Sequence, residues 1–373
     1  MEISVRNAAE LDDALAKAAA GETIFLEDGV YRKEGAFLLA HRHGSDHAMI
    51  RIMARNRGKA VLAGESNIHI LQCSYVQVWG LTFRTERRTA VVLDGARHCR
   101  LTRNTFEPVP TGADYNLAAI VGSGSGWNRI ERNVFGPKSD PGPLVVFDGD
   151  GRAVSRYDVI ERNWFRDIGP RIANGLEAIR LGLSGISLTS GYATIQYNLF
   201  ENCDGEPEIV SVKSCRNTIR YNTFLHSAGQ VTARHGHRNR FYGNCFIGDG
   251  KKDEQGGFRI YGNDHRLFDN YMEKLTTDPL LIDGGTYDGG EDGFPPNPTA
   301  EELRKHWRVY RATVVGNTIV DCAMGITFAK RKPLEPVQCE VAGNVVANGP
   351  ASAAARIERP KPLTRGDVGP DST

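Results

Sequence analysis

Short runs of alternating apolar and polar residues, rich in Val, Ile, Thr and Phe and cut by Asn or Gly, follow one another along most of the chain. Alternation with a period of two predicts strands, and helical periodicity is almost absent. One pattern returns within these runs, apolar-x-x-Asn-x-Phe. Its copies are LTRNTF (101–106), IERNVF (130–135), IERNWF (160–165), IQYNLF (195–200), IRYNTF (219–224), FYGNCF (241–246) and LFDNYM (267–272). Weaker copies are VWGLTF (78–83), with Leu81 in the Asn place, VVGNTI (314–319) and VAGNVV (341–346). Successive Asn positions lie 22 to 47 residues apart and mostly in the twenties. A period of that size that tolerates insertions marks a solenoid, and its strand content makes it an all-β one, a parallel β-helix. The repeated Asn is expected to bond its copy in the next coil, and the Phe two residues on to point inward and stack.

Other segments depart from the repeat. Residues 8–20, AAELDDALAKAAA, read as an amphipathic helix stopped at Gly21, a cap for the open end of the stack within about residues 1–30. Residues 283–308 hold a Gly/Pro/Asp-rich loop and a short helix, with Thr299 and Glu302 in capping-box spacing. We expect one β-helix domain over residues 1–350, and from 351 to 373 an Ala-, Pro- and charge-rich disordered tail.

Composition narrows the function. Lys+Arg 46 against Asp+Glu 45 leaves a net charge of +1, so no global field points to nucleic acid or membrane, and oligomeric state is not legible. Seven cysteines without a CxxC pair read as buried thiols. No apolar run approaches a membrane span, and the start has no signal-type core, so a cytoplasmic location stays open.

Charges interrupt one run that otherwise reads as buried strand, CDGEPEIVSVKSC (203–215). Counted from the repeated Asn of each coil, Glu206, Glu208 and Lys213 fall near Asn174 and Glu177 of the coil before and Arg234, His235 and His237 of the coil after. Glu206 and Glu208 share a face, and the count sets Asn174 beside Glu208; two carboxylates and an amide oxygen suit Ca²⁺. Lys213 has the opposite parity, so a bulge must lie between it and Glu208. The same residues also suit a solvated ladder in which Lys213 pairs with a glutamate. The segment VTARHGHRNR (231–240) adds the densest cationic cluster, and the wall as a whole fits a polyanion.

The segments NGLEAIRLG (174–182), NLFENCDGEPEIVSVKSC (198–215), NTFLHSAGQVTARHGHRN (222–239) and GGFRIYGNDH (256–265) resemble polysaccharide lyase family 6, the alginate lyases and chondroitinase B. The resemblance implies a right-handed, pectin-lyase-like β-helix and β-elimination across a uronate. It also implies Ca²⁺ on Asn174, Glu206 and Glu208, Lys213 as base, and Arg234 as acid or charge stabiliser. Glu177, Arg180, His235, His237, Arg259 and Tyr261 are the expected substrate contacts. The implied partner is an anionic polysaccharide, alginate before dermatan sulfate, and the implied location is secreted or periplasmic. A uronate C5-epimerase and a non-catalytic glycan-binding β-helix are the competing readings; only a lyase makes an unsaturated, ultraviolet-absorbing end.

Overall fold

The computed structural model describes residues 1–122, 124–349 and 359–372. Each coil contributes one short strand to each of three parallel sheets, here called sheets I, II and III, of 13, 12 and 11 strands. Chain order within a coil is sheet I, sheet II, sheet III, as in Thr23–Leu26, Gly29–Tyr31 and Gly35–Ala40. This is the parallel β-helix that the repeat predicts.

The interior is built of columns, one residue per coil. In sheet I, Ile130, Ile160, Ile195 and Ile219 are successive register partners and fully buried. In sheet II, Phe83, Phe106, Phe135, Phe165, Phe200, Phe224 and Phe246 stack with ring centroids 4.4 to 4.9 Å apart. That is the spacing of neighbouring strands, so each ring caps the next without strain.

Between sheets I and II the repeated Asn residues form the expected ladder. Asn222, for example, donates Nδ2 to Asn244 Oδ1 at 3.0 Å and to the Ile195 carbonyl at 3.0 Å, while its own Oδ1 accepts from the backbone and Nδ2 of Asn198. The residue before each Asn is left-handed, for instance Arg103, Arg132 and Arg162, with φ of 57°, 58° and 55°. A second ladder stands five positions upstream, through Asn128 and Asp158 and again through Asn217, Asn239 and His265.

The cap is a helix, α1 (Ala8–Lys17), with Asn7 as N-cap accepting from Glu10 N and with Leu11, Ala14 and Leu15 buried. It ends before the expected stop; the chain turns at Gly21, where φ is +80°. The insertion carries α2 (Ala300–Arg304), with the predicted capping box of Thr299 and Glu302. All seven cysteines are free, and six are buried.

The tail departs from expectation. Of the predicted disordered segment, residues 351–358 and 373 lie outside the described residues, but 359–372 run back along the coils. Leu363 N donates to Thr223 Oγ1, Arg365 pairs with Glu201 at 2.9 Å, Gly369 N donates to the Arg162 carbonyl, and the Pro370 carbonyl accepts from Arg57 and Arg103. Composition reads such a segment as unable to bury a core of its own, and it does not; it borrows the side of the stack.

Candidate active site

The charged residues meet on the outer face of sheet III. There Arg180, Ser211, Thr232 and Arg259 are register partners in successive coils, Ile179–Leu181, Glu208–Lys213, Gly229–His235 and Gln255–Ile260. The parity problem of Lys213 is solved by a bulge. Between Glu208 and Val210 the register shifts by one, so Ile209 and Val210 both face the core, and Glu208, Ser211 and Lys213 face out together. A second shift between Val212 and Lys213 leaves Arg234 as the extra residue of the next coil, with Lys213 opposite His235.

Three carboxylates are buried at this wall. Glu206 is 3% exposed, and one of its oxygens accepts from the backbone N–H of Gly175 and of Leu176. Burial first, then the neighbouring Glu177 and Glu208, push its carboxyl up to about 7 against those bonds. Glu208 accepts from Ser211 Oγ at 2.5 Å on one oxygen and from Arg259 at 2.5 Å on the other, with Arg234 Nε 3.7 Å away. Glu177 is 1% exposed, and Lys213 Nζ stands 3.7 Å from its carboxylate. Burial lifts Glu177 above the usual carboxyl range despite Lys213 and Arg180.

The wall is left electrostatically open. Glu177 Oε2, Arg234 Nη1, His235 Nδ1 and Arg259 Nε are buried with no hydrogen-bond partner among the described residues. Buried polar atoms cost free energy unless paired, so four on one face mark a surface shaped for something else. Burial lowers Arg234 below its usual range and holds His235 neutral.

Asn174 does not sit where counting placed it. The backbone that bonds Glu206 is that of Gly175 and Leu176, so Asn174, exposed, lies next to Glu206 rather than beside Glu208. Glu206, Glu208 and the Asn174 amide remain a set of hard oxygen donors, and the uncompensated charge at Glu206 is of the kind a divalent cation relieves. Among the described residues no three His, Cys, Asp or Glu side chains converge as metal ligands, so any such site needs the amide.

Two further expected contacts are withdrawn from the open face. Tyr261 is 2% exposed and donates to Asp283 at 2.6 Å. His237 is 1% exposed, accepts from Asn263 N on Nδ1, and packs against Phe294 and Trp307 of the insertion. The cationic cluster of 231–240 is therefore divided: Arg234 and His235 end the sheet III strand, His237 is core, and Arg240 begins a sheet I strand. Arg180 is in the outward column but already held by Asp148, at 2.9 to 3.1 Å.

Counting also missed His306. The insertion brings its ring to 4.3 Å from Tyr261, where burial, Arg234, Lys332 and Arg259 push it down to about 3. It lies two residues past α2, outside the repeat, and no offset could place it.

The sequence profile of the Chondroitinase B family matches residues 5–354. No curated protein matches the chain significantly. Among solved structures, the family 6 alginate lyase AlyGC is 27% identical with a TM-score of 0.76, over 91% of this chain and 47% of its own. The chain thus spans about half the length of that enzyme. A mannuronic acid specific family 6 lyase from human gut microbiota is 25% identical with a TM-score of 0.78, over 94% and 84%. The family 6 polysaccharide lyase Pedsa3628 from Pseudopedobacter saltans shares the fold end to end, with 24% identity, a TM-score of 0.83 and 100% and 99% coverage.

Proposed function

The chain belongs to the chondroitinase B family, and from that premise we propose that it is a lyase that cleaves alginate by β-elimination on the outer face of sheet III. One observation carries the reading: the two register shifts that set Lys213 and Arg234 on a wall of buried carboxylates. Alginate is preferred because relatives at 25% and 27% identity are a mannuronic acid specific lyase and an alginate lyase. The family profile itself favours dermatan sulfate as the second substrate to try.

In this mechanism the Lys213 amine takes the proton at C5 of the uronate, and the electron pair released expels the oxygen at C4. Glu177, lifted by burial, is the group placed to exchange a proton with that amine. Arg234, whose Nη1 has no partner among the described residues, faces the charge that grows on the leaving oxygen; a guanidinium surrenders its own proton reluctantly, so water is the proton source there. Asn174, Glu206 and Glu208 would hold Ca²⁺, which when bound supplies positive charge beside the uronate carboxylate. Arg259 keeps Glu208 in place, and His235, neutral, contacts the sugar.

The test is a panel of alginate blocks, dermatan sulfate and pectate, followed by absorbance of the unsaturated end and by product sizing. Alginate is expected to be cut, with activity lost on exhaustive chelation and restored by Ca²⁺. Cutting of dermatan sulfate alone would replace the substrate; full activity in protein shown to be metal-free would remove the ion.

A further inference from the structure

Around the corner from the wall, between sheets III and I, runs a second surface. Each coil turns this corner on a left-handed residue, and in five successive coils that residue is aromatic: Tyr75, His98, Trp127, Tyr157 and Tyr192. Their rings stack at 4.7, 5.5, 5.2 and 5.1 Å. The stack is structural, since each ring covers its neighbour's face and shows solvent only its edge. It stops at Tyr192. In the next two coils the corner residue is Arg216 and then Arg238, the first with its guanidinium 5.9 Å from the Tyr192 ring.

Beside this column lies the first outward row of sheet I, where Arg240 and Arg266 are direct register partners. The hollow between them, about 620 Å³, is lined by Tyr157, Tyr192, Arg216, Arg238, Arg240 and Arg266. Its one carboxylate, Asp264, is already engaged by Arg311 at 2.8 Å and Arg238 at 3.5 Å. Arg216, Arg240 and Arg266 have no ion-pair partner among the described residues. Like charges in register on neighbouring strands destabilise a sheet unless something neutralises them. Lower on the same row the chain supplies its own answer, since Arg129 pairs with Glu161. In the upper hollow it supplies none.

We propose that this hollow is a second binding site, for the carboxylates of a uronate polysaccharide held outside the catalytic wall. Guanidinium forks match carboxylates bidentately, and the exposed ring edges of Tyr157 and Tyr192 give the sugar an apolar rest. A single-stranded nucleic acid would need free ring faces, and those of Tyr192 are covered by Tyr157 and by the Arg216 guanidinium. Arg216 follows Lys213 by three positions and Arg238 follows Arg234 by four, so one long chain can engage both faces and raise its own local concentration at the wall. The choice of uronate rests on the function proposed above; the anion site itself does not.

The test uses the whole chain with Arg240→Glu/Arg266→Glu, and with Arg240→Gln/Arg266→Gln as the milder pair, both checked for an unchanged melting temperature. Binding of long alginate is measured by calorimetry in the Lys213→Ala background, and turnover of long alginate and of an alginate trisaccharide in the Lys213 background. Expected is a rise of about fivefold or more in Kd and KM for the long chain, a weaker salt dependence, and trisaccharide turnover unchanged. A long-chain Kd within about twofold of the parent in both pairs, or a parallel fall in trisaccharide turnover, overturns the second site. If the parent cuts no polysaccharide yet loses long-chain binding in these variants, the lyase reading fails and the anion site stands.

Discussion

At the corner between sheets I and II the polar column is closed on itself: each amide from Asn104 to Asn317 donates to the Asn of the next coil. On the outer face of sheet III the polar column of the same coils is left open, with buried atoms of Glu177, Arg234, His235 and Arg259 unpaired among the described residues. Both columns repeat from coil to coil and contain buried polar atoms, so neither burial nor repetition alone separates them. Satisfaction does. A column that completes its own hydrogen bonds holds the stack, and one that does not keeps donors and acceptors for groups outside the fold.

The comparison can be broken by substitution. Lys213→Ala should lower turnover by ~10³-fold or more while leaving the melting temperature and polymer affinity nearly unchanged. Near-normal turnover with weakened binding would make the lysine an anion clamp and the open column a mere docking strip. Asn222→Ala should do the reverse, costing roughly 2–4 kcal/mol in denaturant unfolding because it strips the partners of Asn198 and Asn244 together. Unchanged stability would mean the ladder is ornamental.

A finer test uses the second ladder, where Asp158 stands in the position that the coil before gives to Asn128. It is 1% exposed, and its carboxyl accepts from Asn128 N at 2.8 Å and from Ser155 Oγ. Burial pushes it up to about 7. The folded chain thus holds this proton more tightly than the unfolded one. Its contribution to stability is full below pH ~4 and is lost as pH rises toward 7. Asp158→Asn keeps the shape and the bond from Asn128 N, and its Nδ2 can donate to Ser155 Oγ in place of the bond Asp158 accepts, so it should be nearly neutral at pH 4 and stabilising at pH 8 by up to ~4 kcal/mol. Melting curves at the two pH values decide it; equal shifts at both would place the ionised carboxylate comfortably inside the ladder.

Much of this was legible in the chain. The Asn and Phe columns follow from a motif whose internal spacing never changes, and fixed spacing is what register requires. The bulge beside Lys213 was legible as a contradiction of parity. Offsets counted across whole coils failed where the path between strands varied: after Asn163 the chain runs through an irregular stretch of bends between the strands Trp164–Ile168 and Ile179–Leu181, and Asn174 lies in it. The second ladder had a signal that the count passed over. Asn128, Asp158, Asn217, Asn239 and His265 each lie five positions before a repeated Asn, but their identities differ. His306 and the returning tail depend on tertiary contact alone.

That tail fixes an order of events. Its last residues close on Arg57, Arg103 and Arg132, contributed by coils made some 240 to 310 residues earlier. During synthesis those coils can stack as they emerge, each on the one before, but their corner arginines must wait for residues 359–372 to be made. The stack can assemble coil by coil and is fastened along its side only when that returning segment arrives.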